Sequence, residues 1–249
     1  MNISHTIAIL AFNKHEMTIK NMEHLCSLGY GKNILLFDNG SEPSFENISK
    51  KLRIRYRREE KNCYVNPAWN KIFFQEKCEF LTLLNNDCFV LSPRYFEEIL
   101  PYMHSSKIGI SSCKTKNIPH LKNDQFQTKD YYYFSDEREP LIFNDQARRQ
   151  GWLMTIDLNI YKTLNYKIPD YLKLWYGDDW IWGQFIENNL KTAVFKNRYA
   201  IHIKSSTISS REMQQIVKVD NENLIKFGDW HRKLSPKLHK RTRLFSRYV

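Results

Sequence analysis

Three groups of residues in this 249-residue chain have the types and spacing to do chemistry. The tripeptide Asn85-Asn86-Asp87 follows the apolar run Phe80–Leu84 and precedes Cys88-Phe89-Val90, so a carboxylate is held at the rim of a dry strand. A hard divalent cation takes oxygen ligands, commonly a carboxylate or two together with substrate phosphates. Asp87 is the candidate ligand, and Asn85 and Asn86 bring amide groups to the same place. Read alone, the triplet is also an ordinary turn. The second group is Gly177-Asp178-Asp179, set between Leu174-Trp175-Tyr176 and an apolar helical stretch from Trp180. Paired carboxylates beside aromatic side chains suit general-base catalysis, although an Asp is equally at home as a helix N-cap. The third is His202, inside Ile201-His202-Ile203 and followed by Lys204, Ser205 and Ser206. A lone His in an apolar run commonly packs as an edge residue. Here the residues after it are fit to contact phosphate oxygens.

These groups need elements to position them. Thr6–Phe12 is a continuous apolar run ending at Asn13, as expected of a strand buried on both faces. Residues 15–28 place Met17, Met22, Leu25 and Leu28 along one helical stripe that Gly29 stops. Ile34–Phe37 is a second buried strand, ending in the turn Asp38-Asn39-Gly40-Ser41. Arg53–Arg57 alternates like an edge strand, and a helix starts near Asn66-Pro67. Phe80–Leu84 reads as a central strand, and a helix follows with Ser92 as its N-cap. The first 115 residues therefore alternate strand and helix, which predicts an α/β fold with a mixed, mostly parallel sheet. Residues 116–150 loosen into a polar stretch containing Tyr131–Phe134. Strands resume at Trp152–Ile156, Thr192–Phe195 and Tyr199–Ile203, and a helix opens at Tyr176–Trp180. In such sheets ligands bind beyond the carboxyl ends of the strands, where Asn13, Asp38 and Asn85–Asp87 all fall. The division expected is a domain over 1–208, split into halves at 115, and a basic helical extension over 209–249.

The formal net charge is +11, and His231–Val249 contains seven Lys and Arg residues and no acidic one. That balance points to a polyanionic partner: a phosphate-bearing substrate, an anionic membrane surface or nucleic acid such as DNA. The five cysteines show no metal spacing, and no apolar run is long enough to span a membrane. The N-terminus lacks the pattern of a secretory leader, so a cytoplasmic, at most membrane-peripheral, location is the default expectation.

In order and spacing these motifs resemble the GT-A fold glycosyltransferases, in particular the inverting family 2-like group. Thr6–Asn13 resembles that family's opening strand, and Asp38-Asn39-Gly40-Ser41 its second-strand turn. Asn62, then Asn66-Pro67-Ala68-Trp69-Asn70, is similar to its Asn-rich helix start. Asn85-Asn86-Asp87 stands in the place of the metal-binding DxD motif, Gly151–Ile156 in that of a segment beside the acceptor, and Asp178-Asp179 in that of its Glu-Asp base.

The resemblance implies a nucleoside-diphosphate sugar donor, a UDP-sugar, held by Ala11, Asn13, Asp38, Asn39, Asn66, Asn70, Asn85 and Asn86. It implies a divalent metal (Mn2+ or Mg2+) at Asp87 and His202, with Lys204 and Ser205 on phosphate. Asp179 is then the base, Asp178 its companion, and Trp152, Trp175 and Trp180 the acceptor surface. The chain departs from the pattern in having Asn85 for the first DxD Asp, and Asp178 for the Glu. The acceptor is a glycan, a lipid-linked sugar or a protein; a modified DNA base, as in some virus-encoded transferases in a host cytoplasm, is the alternative. A non-catalytic sugar-nucleotide-binding module is the rival of another class. A nucleotidyltransferase is disfavoured because Ala11–His15 has no glycine.

Overall fold

The computed structural model describes residues 3–118, 142–143, 150–203 and 211–234. Strand β1 (His5–Ala11) lies at the centre of the parallel half of the sheet, between β2 (Ile34–Asp38) and β4 (Phe80–Asn85), and β3 (Arg55–Arg58) forms the outer edge. The apolar runs read from the sequence are β1, β2 and β4, each covered on both faces, whereas the edge strand β3 is largely exposed. Beyond β4 the sheet turns antiparallel: β8 (Leu153–Asp157) pairs with β4 and with β6 (Ile108–Ile118). Strand β6 runs parallel to β9 (Lys191–Ile203), which also pairs with β5 (Cys88–Val90) and β7 (Ile142–Phe143). The sheet is thus mixed as expected, with its parallel pairing concentrated in the first half.

One face packs α1 (His15–Ser27), α2 (Glu46–Leu52) and α4 (Tyr95–Ser106) over a core that includes Ile9, Met22, Phe45 and Tyr95. The other packs α3 (Val65–Gln75), α5 (Leu158–Thr163) and α6 (Gly177–Glu187) over Phe37, Trp69, Tyr161 and Phe185. The chain after β9 adds α7 (Arg211–Phe227) and α8 (Asp229–Leu234). No described helix is long and apolar enough to cross a membrane.

Several local expectations change. α2 and β5 are present although no strong period announces them. Thr192–Phe195 and Tyr199–Ile203 are one strand, because the register along β6 slips where Phe195 gives way to Tyr199 and residues 196–198 bulge out. Ser92 does not cap α4, which starts at Tyr95; its hydroxyl accepts the Tyr199 N–H at 2.9 Å instead. α7 is a packed, amphipathic helix burying Met213, Val217 and Leu224. It is therefore part of the folded unit, whereas the basic run after 234 lies outside the described residues, as do Lys204, Ser205 and Tyr131–Tyr133.

Candidate active site

Strands β1, β2 and β4 end level, with Leu10 beside Phe37 and Asn85, and Ala11 beside Asp38. Side chains alternate along a strand, so Leu10, Phe37 and Asn85 face α3 and α6 while Ala11 and Asp38 face α1 and α2. A cavity opens above the strand ends on the α3 side. Its polar wall comes from Asn13, Lys14, Asn39, Asn62, Asn85 and Asn86. Its apolar wall comes from Leu10, Phe12, Tyr64, Val65, Leu174 and Met213. Asn13, Lys14 and Tyr64 all have left-handed φ, at 52°, 53° and 67°, as does Tyr176 just before α6, at 64°. Such conformations cost a non-glycine residue on the order of 1–3 kcal/mol, and they gather where a loop is shaped for binding.

The alternation corrects the expectation for Asp38 and Ala11. Neither lines the cavity. The fully buried Asp38 carboxylate accepts the N–H groups of Ser41 (2.8 Å) and Phe45 (3.2 Å), the Tyr56 hydroxyl (2.8 Å) and Arg58 (3.0 Å). It holds the second-strand turn together and leaves Asn39, one residue on, to reach the cavity. The Asn39 amide in turn bonds Asn62, Cys63 and Tyr64, so it shapes the wall. Asn66 and Asn70 also lie away from the cavity. Asn70 donates to the Ile168 carbonyl and accepts its N–H, each at 2.9 Å. Asn66 donates to the Trp175 carbonyl at 2.9 Å and is nearly fully buried. Both tie α3 to the chain leading into α6. Asn13, Asn85 and Asn86 are on the cavity wall.

Asp87 and His202 come together, with Asp87 Oδ1 3.5 Å from His202 Nε2. The contact follows from strand pairing: Cys88 is opposite His202, and the Asp87 carbonyl accepts the Ile203 N–H at 2.9 Å. The turn carrying Asp87 is fixed from behind by Asn21 of α1, a buried residue that donates to the carbonyls of Asn85, Asn86 and Cys88. A carboxylate oxygen and an imidazole nitrogen at this separation fit two ligands of one divalent cation. Among the described residues no three His, Cys, Asp or Glu side chains converge. The indole of Trp152 lies flat on His202, with ring centroids 4.7 Å apart and planes within 8°. That contact covers the imidazole and sets its orientation, so this face of Trp152 is not an open acceptor surface.

Asp178 and Asp179 occupy the first turn of α6, where the helix dipole favours negative charge. Gly151 lies against Asp178 so closely that a β-carbon there would come 2.6 Å from Oδ2. Because Trp152 is the next residue, one short segment touches both the acidic turn and the Asp87–His202 pair. Of the expected acceptor aromatics, only Trp175 is exposed, at 36%. Trp180 is core, buried edge-on against Trp230 at 5.1 Å, so it offers no stacking platform. Sequence reasoning missed Lys14, Tyr64 and Met213 on the cavity wall, and also His231, whose Nε2 lies 3.5 Å from Asp179 Oδ2. The amphipathic period of α7 is a signal for Met213; no local pattern marks His231.

The mixed sheet with its helical layers is the GT-A fold. The structure resembles TarS 1–349 of S. aureus, with a TM-score of 0.60 and 12% identity over 98% of this chain and 79% of that one. It also resembles GalNAc-T7 solved with UDP, GalNAc and Mn2+, with a TM-score of 0.62 and 14% identity over 92% of this chain. This chain spans half, 50%, of that GalNAc-T7 chain. TarS bound to UDP-GlcNAc aligns with a TM-score of 0.59 and 12% identity, over 94% of this chain and 74% of that one. No curated protein sequence matches. The chain belongs to glycosyl transferase family 2, which matches residues 6–169. The match ends before α6 and β9, so it does not reach Asp178, Asp179 or His202.

Proposed function

We propose that this glycosyltransferase moves a sugar from a UDP-sugar to an acceptor hydroxyl with inversion at the anomeric carbon. The observation that carries the reading is the 3.5 Å approach of His202 to Asp87 beside the strand-end cavity. The nucleoside lies in the cavity, against Asn13 and the apolar wall, and Asn85 and Asn86 face the ribose and sugar. Asp87 and His202 hold a divalent cation, which when bound supplies charge stabilisation to the departing diphosphate. Asp179 accepts the proton of the acceptor hydroxyl as its oxygen attacks the anomeric carbon from the face opposite the diphosphate. Asp178, braced on Gly151, orients the acceptor. Similarity to proteins solved with UDP, UDP-GlcNAc and Mn2+ supports the choice of donor and metal. The acceptor is a glycan, a lipid-linked sugar or a protein, with Trp175 the exposed aromatic near α6.

The test is hydrolysis of a panel of nucleotide sugars with Mn2+, with Mg2+ and with chelator. Turnover of one UDP-sugar by the wild type, lost in Asp179→Asn with nucleotide binding retained, supports the assignment. Binding without turnover would make the chain a sugar-nucleotide-binding module.

A further inference from the structure

His231 is the one histidine of the described chain that is fully buried and faces a carboxylate of the acidic turn. Burying an imidazole is costly unless its nitrogens meet polar groups. Its Nε2 lies 3.5 Å from Asp179 Oδ2, a separation that a bound substrate can shorten into a hydrogen bond. The ring is held edge-on by Tyr176 at 5.6 Å and by Trp230 at 5.4 Å. Those neighbours are themselves fixed. The Tyr176 hydroxyl bonds the Asn221 side chain, and the buried Asp220 accepts the N–H groups of Lys173, Leu174 and Trp175 at 2.7–2.8 Å. Helices α7 and α8 thus brace both the loop entering α6 and the first turn that carries Asp179. All of this brace lies beyond residue 169, where the family match ends.

We propose that His231 is a positioning residue for Asp179, an inference that rests on the reading of Asp179 as the base. An N–H on Nε2 directed at Oδ2 fixes the plane of the carboxylate, and with it the direction of the lone pairs that take the acceptor proton. The C-terminal helices are then part of the catalytic device, since they carry the group that aims the base.

The experiment uses the full chain and compares His231→Phe, His231→Gln and Asp179→Asn in nucleotide-sugar turnover, donor KM and thermal melting. His231→Phe keeps the aromatic volume but has no N–H; a misaimed base then lowers kcat by about a hundredfold while donor KM stays near the wild-type value. His231→Gln, which restores an N–H at a similar reach, recovers most of that loss. In the Asp179→Asn background, adding His231→Phe costs nothing further. Wild-type kcat in His231→Phe overturns the proposal, and so does an equal kcat deficit in the Gln and Phe variants accompanied by equal loss of melting temperature. An active Asp179→Asn overturns the base assignment and this inference with it. An inactive Asp179→Asn beside a fully active His231→Phe overturns this inference alone.

Discussion

Asp87 and His202 belong to opposite halves of the chain, yet their side chains meet at 3.5 Å because β5 and β9 pair antiparallel with Cys88 opposite His202. Trp152, from a third strand end, stacks on the imidazole, and its carbonyl accepts the Asn85 N–H at 3.0 Å. The Asp87–His202 pair, the Asn85–Asp87 turn and the segment beside the acidic helix are therefore one connected structure.

If Asp87 and His202 share a cation, each of Asp87→Asn and His202→Ala lowers metal-stimulated turnover on the order of a hundredfold. Titration with Mn2+ measures the effect as a rightward shift of the activation curve. UDP binding in chelator stays at its wild-type value, because the cavity lining excludes both residues. An unchanged activation curve in both variants removes the pair from metal binding.

Gly151→Ala places a methyl group 2.6 Å from Asp178 Oδ2, so the Asp178 side chain must move. The methyl also meets Asp178 Cγ at 2.8 Å and Cβ at 2.9 Å, so rotating the carboxylate does not relieve it; the first turn of α6 must give as well, and the melting temperature falls. Turnover falls by about a hundredfold if the acidic turn needs its present geometry, since a displacement near 1 Å costs that much. Turnover assays and melts on the same preparation check both halves of this expectation.

Asn70 and Asn85 separate fold from site. Asn70→Ala removes two bonds to the Ile168 backbone and lowers stability by about 1–3 kcal/mol, leaving UDP affinity intact. Asn85→Ala, on the cavity wall, weakens UDP-sugar binding and changes stability by less than about 1 kcal/mol. Urea titration and calorimetry of UDP-sugar binding give the two readings, and the reverse pattern refutes the division.

Asp38 gives the acid response of the second-strand turn. Burial pushes its carboxyl up, but the bonds from Ser41, Tyr56 and Phe45 outweigh it and hold the pKa below the ordinary 3.8. A depressed carboxylate contributes stability above the unfolded value and loses it as pH falls through the folded one. Asp38→Asn therefore destabilises the protein by about 2 kcal/mol at neutral pH. Urea titrations at descending pH show the gap from wild type narrowing once the pH passes below 3.8. A gap that stays constant into that range contradicts the linkage.

Much of the fold was legible because its strands are continuous apolar runs ending in polar turns, and α1 ends where Gly29 takes φ 89°. The strand from Phe80 to Asn85, the helix beginning near Asn66 and the acidic start of α6 all lie where their residue patterns put them. The short α2 and β5 left no period long enough to read. The split reading of β9 came from Lys196-Asn197-Arg198, a polar interruption that a bulge absorbs.

What the sequence determined by itself is local: which segments bury, where each strand ends, and that polar residues with amide and carboxylate chemistry stand at those ends. Which of those residues face the cavity was decided by tertiary structure. One step along β2 turns Asp38 into the opposite layer and gives the wall to Asn39, and Asn70 finds its partner at Ile168 across the fold. The sheet brings His202 to Asp87, and the packing of α8 brings His231 to Asp179. Those contacts join residues far apart in the chain, and no spacing along a one-dimensional sequence encodes a distance that only strand register and helix packing create.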